Sequence, residues 1–163
     1  MTHPLAPALD VFWHNAWMLR NAVNDLPPEQ ESFQLGNCNP FNRVVGHIVA
    51  TRHGLAKTLG IDAPDPGWGE FGAFKLAAQF DANLPCPPVS EIMEAFAGIS
   101  EAMVAGMEAM TLEDLRKPSP MPIPGEDPDL LDLIAFFAMH ESYHIGQLSI
   151  MAKCMGRKGV MGG

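Results

Sequence analysis

The fold is decided by residues 127–156, which read DPDLLDLIAFFAMHESYHIGQLSIMAKCMG. Apolar side chains recur along this stretch every three or four residues, the spacing that places them on one face of an α-helix. Asp127 followed by Pro128 is typical of a helix cap and first turn, and Gly156 is typical of a helix end. The stretch therefore predicts one long amphipathic helix that buries a single face.

Two earlier stretches show the same periodicity. Residues 6–25 carry apolar side chains at helical spacing, and the prolines at 27–28 end the helix that this spacing predicts. A second helix is predicted to open at Asn39 as N-cap, with Pro40 in its first turn, and to end at Gly60. The residues assigned to the buried face of the first helix are Leu9, Phe12, Trp13, Ala16, Leu19, Val23 and Leu26.

A third helix is predicted from Ser90 to about Met110, with a long connection on each side. The connection over 111–127 is rich in proline. The connection over 61–88 is long for a segment without structure, so we expect it to pack down, with a short helix around 71–81. We expect its aromatic residues to wall an apolar pocket, or to be buried by loop packing or in a dimer. These residues are Trp68, Phe71 and Phe74.

Four amphipathic helices without a convincing strand pattern predict an all-α fold of the four-helix-bundle type. The long connections between helices 2 and 3 and between helices 3 and 4 argue against a simple up-down-up-down order. With 163 residues the chain has the length of one domain, and we predict a single domain over residues 1–163. Its first ~5 and last ~7 residues are expected to be flexible.

The composition is acidic, with 19 Asp and Glu against 10 Lys and Arg and a formal net charge of −9. That balance disfavours nucleic acid as a partner, because phosphate backbones require a basic surface. Cys38, Cys86 and Cys154 form no paired motif, which favours reduced thiols. The N-terminus lacks a signal-peptide pattern, and the longest apolar run, 133–139, is far shorter than the roughly 20 residues that cross a bilayer. We therefore expect a cytoplasmic protein without a membrane partner.

Residues 140–144 read His-Glu-Ser-Tyr-His and fit the H-E-x-x-H zinc pattern. Residues four apart stack on one helical face, so both imidazoles can bind one ion. Two ionisable rings on an apolar stripe require hydrogen-bond partners or a metal, and their pairing favours a metal over satisfied core histidines. A zinc peptidase takes its third ligand from downstream, but residues 145–163 contain no His, Asp, Glu or Tyr. The third ligand is therefore expected upstream.

Four other histidines are candidates for that ligand. On helix 2, His47 lies on the buried face, whereas His53 is rotated by about 120° and is interpreted as a partly exposed surface residue. His14 is a candidate fourth ligand that better fits a surface or interface position, and His3 lies in an untethered terminus. The pattern therefore predicts a three-imidazole site made of His47, His140 and His144.

Three protein ligands leave coordination positions open, as in catalytic rather than structural metal sites. Imidazole ligands suit Zn(II) or Ni(II), which we expect first, and also Fe(II) or Cu(II). Thr51 and Gln147 are candidate pocket-lining residues on the faces that carry the predicted ligands. Glu141 projects about 100° from the ligand face. It is interpreted as a surface charge or as a partner that orients a neighbouring side chain, and not as a general base.

Three segments of the chain, taken in order, resemble the motifs of a known family. They are WHNAWMLR at 13–20 followed by LPPE at 26–29, NPFNRVVGHIVATR at 39–52, and HESYHIGQL at 140–148. In this order they resemble the DinB/YfiT-like family of bacterial metal-binding four-helix bundles, over most of the chain. The resemblance implies a metal site at His47, His140 and His144 in a homodimer. It also implies chemistry with low-molecular-weight thiols, since characterised relatives include thiol transferases and a mycothiol-dependent isomerase.

The first functional hypothesis is a metal-dependent transferase or isomerase that acts on a small-molecule substrate. The metal would deprotonate a small thiol, which then attacks an electrophile. No Cys of the chain stands at a motif position, so the cosubstrate supplies the nucleophile. One alternative is a non-catalytic, dimeric metal-binding protein associated with stress, and another is a metal-dependent hydrolase that activates water. The missing downstream ligand disfavours a peptidase.

Overall fold

The computed structural model describes residues 3–68 and 85–162 of the chain. Within these residues the protein is all-α and no strand occurs, which confirms the predicted fold class. A 3-10 turn, Pro28–Gln30, follows the first helix. No helix of the described part is long and apolar enough to span a bilayer. The helices are α1 (Ala6–Val23), α2 (Phe41–Thr58), α3 (Val89–Glu108), α4 (Leu112–Leu115) and α5 (Leu130–Cys154).

The four long helices pack around two neighbouring clusters of apolar side chains. α1 packs along α5, and α2 packs against both α3 and α5. The first cluster draws on all four helices and includes Leu19, Ile48, Phe96 and Leu148. The second cluster surrounds the N-terminal half of α5 and includes Phe12, Leu55, Met103 and Leu133. The packing places α2 directly beside α5, and these two helices carry the predicted metal ligands.

Both ends of the described chain contact the bundle. Leu5 is fully buried and Val160 is 3% exposed. His3 Nε2 lies 3.1 Å from the backbone carbonyl oxygen of Met110, so the interpretation of His3 as untethered is wrong. Flexibility of the outermost residues and the extent of the domain stay predictions.

The N-terminal boundary of α5 differs from the predicted one. Asp127 has a φ of 47°, in the left-handed region, so it does not serve as the cap. Asp129 is the N-cap, because its carboxylate accepts a hydrogen bond from the backbone N–H of Asp132. The Asp132 carboxylate in turn accepts one from the backbone N–H of Asp129. This reciprocal capping box satisfies two N–H groups at the start of the helix, which outweighs the Asp-Pro signal.

Two further local features differ from the predictions. The expected Asn39 cap of α2 is wrong, because the helix begins at Phe41 with Pro40 as N-cap and has no capping side chain. The single turn of α4 was not predicted, although it opens with a capping box between Thr111 and Asp114. Neither difference changes the order of the four long helices.

The position of Trp13 also differs from the predicted one. Helical spacing assigns it to the buried face of α1, but its side chain is 66% exposed. Phe12, Ala16 and Leu19 form the buried line, and Trp13 is rotated by about 100° from Phe12. The first helix therefore buries a narrower stripe than its apolar residues predict.

Gly106 lies in α3 at the point where Ile61, in the segment that follows α2, packs closely against that helix. A Cβ at this position would lie 2.6, 2.7 and 2.8 Å from three side-chain carbons of Ile61, a stiff β-branched residue. We expect Gly106→Ala to lower the free energy of unfolding by about 1–3 kcal/mol through overpacking. Chemical denaturation measures the change.

The matched control for that substitution is Gly98→Ala in the same helix. Its Cβ would meet Pro64 at an ordinary 3.6 Å. Helix propensity therefore predicts a gain of up to about 1 kcal/mol rather than a loss. Equal free energies of unfolding for the two variants would contradict the close packing of Ile61 on α3.

Candidate metal centre

The structure brings His47 of α2 to the two histidines of α5. Each of His47, His140 and His144 offers one ring nitrogen, and these three nitrogens all lie within 4.8 Å of one another. The ring centroids are 4.5 Å apart for His140–His144, 4.7 Å for His47–His144 and 5.3 Å for His47–His140. The three residues predicted as ligands therefore converge on one place.

His144 is the most deeply buried of the three, with 6% of its surface exposed. Its Nδ1 lies 2.8 Å from Gln147 Oε1, and because this oxygen only accepts, the Nδ1 carries the proton. Gln147 is held by Tyr143, since its Nε2 donates to the phenol oxygen at 3.2 Å. These contacts select the tautomer in which the Nε2 lone pair of His144 faces the other histidines.

The Nε2 atoms of His140 and His144 face each other at 3.1 Å. Two imidazole nitrogens that bind one ion at about 2.0–2.1 Å lie roughly 2.8–3.4 Å apart, the shorter separation for octahedral angles and the longer for tetrahedral angles. The observed separation therefore fits a shared divalent ion, with His47 as the donor from the other helix. His140 Nδ1 is buried without a hydrogen-bond partner among the described residues.

Burial keeps His140 and His144 uncharged. It lowers the pKa of His140 and of His144 below the ordinary value of 6.5. The neighbouring His144 lowers the pKa of His140 further, whereas the hydrogen bond to Gln147 opposes the shift in the pKa of His144. Both rings are consequently neutral at pH 7, which is the form that binds a metal ion.

We expect the metal-free protein to lose stability as the pH falls below 6.5. Burial also lowers the pKa of His53, so three histidines resist protonation in the folded state. The unfolded chain takes up these protons near pH 6.5. Stability is therefore present above that pH and is lost as the pH falls through the lowered pKa values.

Thermal midpoints in the presence of chelator, measured from neutral pH downwards, check this expectation. The dependence on pH should become shallower in the double variant His53→Gln/His140→Gln, because two of the three titrating groups are removed. A midpoint that stays constant just below pH 6.5 would contradict the burial of these rings.

Glu141 points away from the histidines and into the bundle. Its carboxylate oxygens accept hydrogen bonds from Arg52 Nε and Nη2, each at 2.7 Å, and both side chains are buried. The interpretation of Glu141 as a surface charge is therefore wrong, and the alternative of a partner that orients a neighbouring side chain fits the pair. Glu141 is not available as a base for a molecule beside the histidines.

Arg52 connects four helices. Besides Glu141 of α5, it donates to Ser100 Oγ of α3 at 2.7 Å and to the backbone carbonyl oxygen of Phe12 in α1 at 3.1 Å. The sequence contained a signal for this role, because Arg52 lies four residues after Ile48 on the apolar face of α2. A charged residue on a buried face requires a buried partner.

A cavity of about 480 Å³ opens beside the three histidines, a size within the range of small-ligand sites. Gln147 lines it, but Thr51 is not among its described lining residues. The Thr51 hydroxyl instead donates to two backbone carbonyl oxygens of its own helix, each at 2.9 Å. Sequence reasoning missed the loop at 37–39, because only the tertiary fold brings it to the histidines. The lining residues are Leu35, Asn37, Cys38, Asn39, Val44, His47, His140, Tyr143, His144, Gln147, Ile150 and Met151.

The other candidates lie away from the site. His14 is exposed, and its Nδ1 donates to the backbone carbonyl oxygen of Asp10 at 2.7 Å. His53 is half-buried, with its ring centroid 6.4 Å from that of Trp68. Trp68 is not among the described residues that line the cavity. The predicted helix around 71–81 and its aromatic residues lie outside the described residues.

We expect Gln147→Ala to weaken metal binding by roughly 10–100-fold, as is usual when the residue that orients a ligand is removed. The substitution deletes the oxygen that holds the Nδ1 proton of His144. Gln147→Glu keeps an acceptor at the same place and should retain the affinity within a few-fold. Competition with a chromophoric chelator measures both affinities. Equal affinities for Gln147→Ala and the unmodified protein would contradict an orienting role.

Comparison with known protein families gives a match over most of the chain. A family model described as the DinB superfamily matches residues 9–148. The matched stretch begins in α1, extends into α5 and contains all three clustered histidines. No curated protein matches the chain.

Proposed function

The chain belongs to the DinB superfamily, and on this membership and its histidine cluster we propose that it is a metal-dependent transferase or isomerase that uses a low-molecular-weight thiol. The observation that carries the proposal is the convergence of three imidazoles on the wall of an open cavity. Three protein ligands leave room for a further ligand, as in catalytic sites. Zn(II) or Ni(II) is the expected ion, with Fe(II) as a further candidate.

The roles of the chain's own residues follow from their positions. His47, His140 and His144 would hold the ion, and Gln147 orients His144. When bound, a divalent ion supplies the positive charge that keeps a thiol deprotonated at neutral pH. The apolar wall of the cavity would hold the organic part of an electrophilic substrate while excluding water from it. This wall includes Leu35, Val44, Ile150 and Met151.

One observation argues against the hydrolase alternative, and another supports the non-catalytic one. Glu141 is engaged by Arg52 inside the bundle, which removes the base that an H-E-x-x-H hydrolase would use. A non-catalytic metal-binding protein remains the second candidate, because the described lining of the cavity contains no Asp, Glu, Lys or Arg that could act as a general acid. Tyr143 and Cys38 are its titratable residues besides the histidines.

The test is consumption of an electrophile by the metal-loaded protein with glutathione, bacillithiol or mycothiol. We expect turnover that requires both metal and thiol and that is lost in His47→Ala. Because Cys38 lines the cavity and is exposed, Cys38→Ser is the control that excludes the chain's own thiol as nucleophile. Metal uptake without turnover would favour the non-catalytic candidate, and turnover without thiol would favour hydrolysis.

We also propose that the protein acts in the cytoplasm as a homodimer on a small-molecule substrate. Three free cysteines at Cys38, Cys86 and Cys154 support a reducing compartment. The net charge of −9 disfavours nucleic acid and anionic lipid as partners. Fractionation of cells and the mass of the purified protein test these statements.

A further inference from the structure

Tyr143 lies at the end of a short chain of hydrogen bonds that begins at His144, one of the three converging histidines. His144 Nδ1 lies 2.8 Å from Gln147 Oε1, and Gln147 Nε2 donates to the phenol oxygen of Tyr143 at 3.2 Å. The rings of Tyr143 and His144 also meet edge to face, with their centroids 5.0 Å apart. All three residues belong to α5 within little more than one turn, so the helix itself holds the phenol beside His144.

The direction of these hydrogen bonds follows from the metal-binding tautomer of His144. His144 presents its Nε2 lone pair to His140, so its proton is on Nδ1 and is donated to the amide oxygen of Gln147. The amide N–H group of Gln147 is thereby turned towards Tyr143, whose oxygen accepts. The phenol's own proton is left for a further group, and the bond accepted at its oxygen makes the phenol a stronger donor.

The hydroxyl of Tyr143 belongs to the cavity that the three histidines share. Tyr143 lines this cavity of about 480 Å³, and with 60% of its surface exposed it is not enclosed by the protein. It is the only residue with an O–H group among the described lining residues. A molecule that packs on the apolar wall of the cavity therefore meets a phenol donor next to the histidines.

We propose that Tyr143 donates a hydrogen bond to an oxygen atom of the electrophilic substrate. The substrate class is then an electrophile whose oxygen becomes negatively charged when a thiolate attacks its carbon. Epoxides and α,β-unsaturated ketones are two sources of such an oxygen. This inference rests on the thiol-dependent function proposed above, and it names the class of electrophile that the same site takes.

Both kinds of electrophile place their charge on oxygen. In an epoxide the sulfur–carbon bond forms as a carbon–oxygen bond breaks, and the electron pair of the broken bond stays on oxygen. In an unsaturated ketone sulfur bonds to the β-carbon, and the electron pair of the C=C bond shifts to give an enolate charged on its oxygen. Water then protonates the alkoxide or the enolate. A donor already in place stabilises this charge as it develops, whereas an alkyl halide leaves its charge on the departing halide.

The first test compares three phenyl electrophiles in Tyr143→Phe, which keeps the ring and removes the donor. They are styrene oxide, benzylideneacetone and benzyl chloride, each given to the zinc-loaded protein with glutathione, bacillithiol or mycothiol. We expect kcat/KM for the first two to fall by roughly 10–100-fold relative to benzyl chloride, less than for an enclosed donor because water replaces part of the bond. A fall for only one of them supports the proposal and identifies that class. An equal change for all three would overturn it.

Gln147→Glu tests the direction of the hydrogen bonds. Its two carboxylate oxygens only accept, so they take the proton of His144 Nδ1 and the proton of the Tyr143 phenol, which is then withdrawn from the substrate. This variant should keep its metal affinity within a few-fold and still lose the preference for the two oxygen electrophiles, as Tyr143→Phe does. If Gln147→Glu kept both its metal affinity and that preference, the phenol would not be the donor.

Metal affinity separates a donor to the substrate from a residue that only positions Gln147. Tyr143→Phe leaves the bond between Gln147 and His144 in place, so competition with a chromophoric chelator should give an affinity within a few-fold of the unmodified protein. A loss as large as that expected for Gln147→Ala would assign Tyr143 to positioning of the ligand and overturn the proposal.

A spectroscopic test requires no turnover. Tyr143 is the only tyrosine of the chain, so a carbon-13 label on the ring carbon that bears the hydroxyl gives a single protein signal. Benzylacetone, a saturated ketone that does not react with thiols, should shift this signal in the zinc-loaded protein, and butylbenzene, which lacks oxygen, should shift it much less. Equal shifts, or no shift with the ketone, would overturn the hydrogen bond. Absence of turnover with every thiol and electrophile would instead remove the proposed function, and the signal would still report on the donor.

Discussion

Glu141→Ala is expected to lower the free energy of unfolding by about 3–5 kcal/mol, because it leaves a buried guanidinium without its counter-charge. Arg52 and Glu141 have side-chain exposures of 2% and 3%, so water cannot replace the lost partner. The carboxylate also receives two hydrogen bonds from Arg52, each at 2.7 Å. Chemical denaturation of the metal-free protein measures the loss without a contribution from metal binding.

Two controls isolate the buried charge as the cause. Arg52→Met/Glu141→Leu removes both charges and should recover much of the loss, since a well-packed apolar pair often replaces a buried ion pair without penalty. Lys117→Met breaks the exposed pair with Asp114, and its midpoint should stay unchanged because solvent screens that pair. If Glu141→Ala were as stable as the unmodified protein, the pair would not be desolvated as the structure shows.

His144→Ala should abolish most of the stabilisation that a divalent metal gives to the protein. At a metal concentration 1,000 times the dissociation constant, binding raises the free energy of unfolding by about 4.1 kcal/mol. Removal of a ligand should weaken binding by at least about 100-fold, more than removal of an orienting residue does. About 1.4 kcal/mol would then remain at the same metal concentration. Thermal midpoints with Zn(II) or Ni(II) and with chelator measure the difference.

His14→Ala and His53→Ala are the matched controls for that experiment. His14 is exposed, and His53 lies outside the set of converging nitrogens. Both variants should respond to metal as the unmodified protein does. Two results would contradict the proposed metal centre. One is a full metal-dependent rise of the thermal midpoint in His144→Ala. The other is a midpoint of the unmodified protein that is the same with metal and with chelator.

The candidate site was predictable because each of its ligands lies on a regular helix. Helical periodicity alone places His140 and His144 on one face and separates His47 from His53. Periodicity does not say which helix provides the third ligand. The absence of a candidate ligand downstream of His144 indicated an upstream helix. The structure confirms that these residues lie together, while the identity of the ion stays a prediction.

The remaining features depend on contacts between distant parts of the chain. Arg52 and Glu141 are 89 residues apart, and no local pattern states that they pair. Cys38 reaches the cavity from a loop whose path is set by packing. The α5 cap was missed for a different reason, since Asp127 and Asp129 are equally good cap residues by type. Their backbone conformations decide between them.

The buried ion pair also limits when the bundle and its metal centre can form during synthesis. Arg52 and Glu141 remain hydrated until α1, α3 and α5 close around them, because burying either charge alone is costly. His140 and His144 flank Glu141 on α5, which follows α2 and His47 in the chain. A chain synthesised only as far as α3 therefore offers an ion His47 alone of the three. The metal centre can be loaded only after α5 has been synthesised.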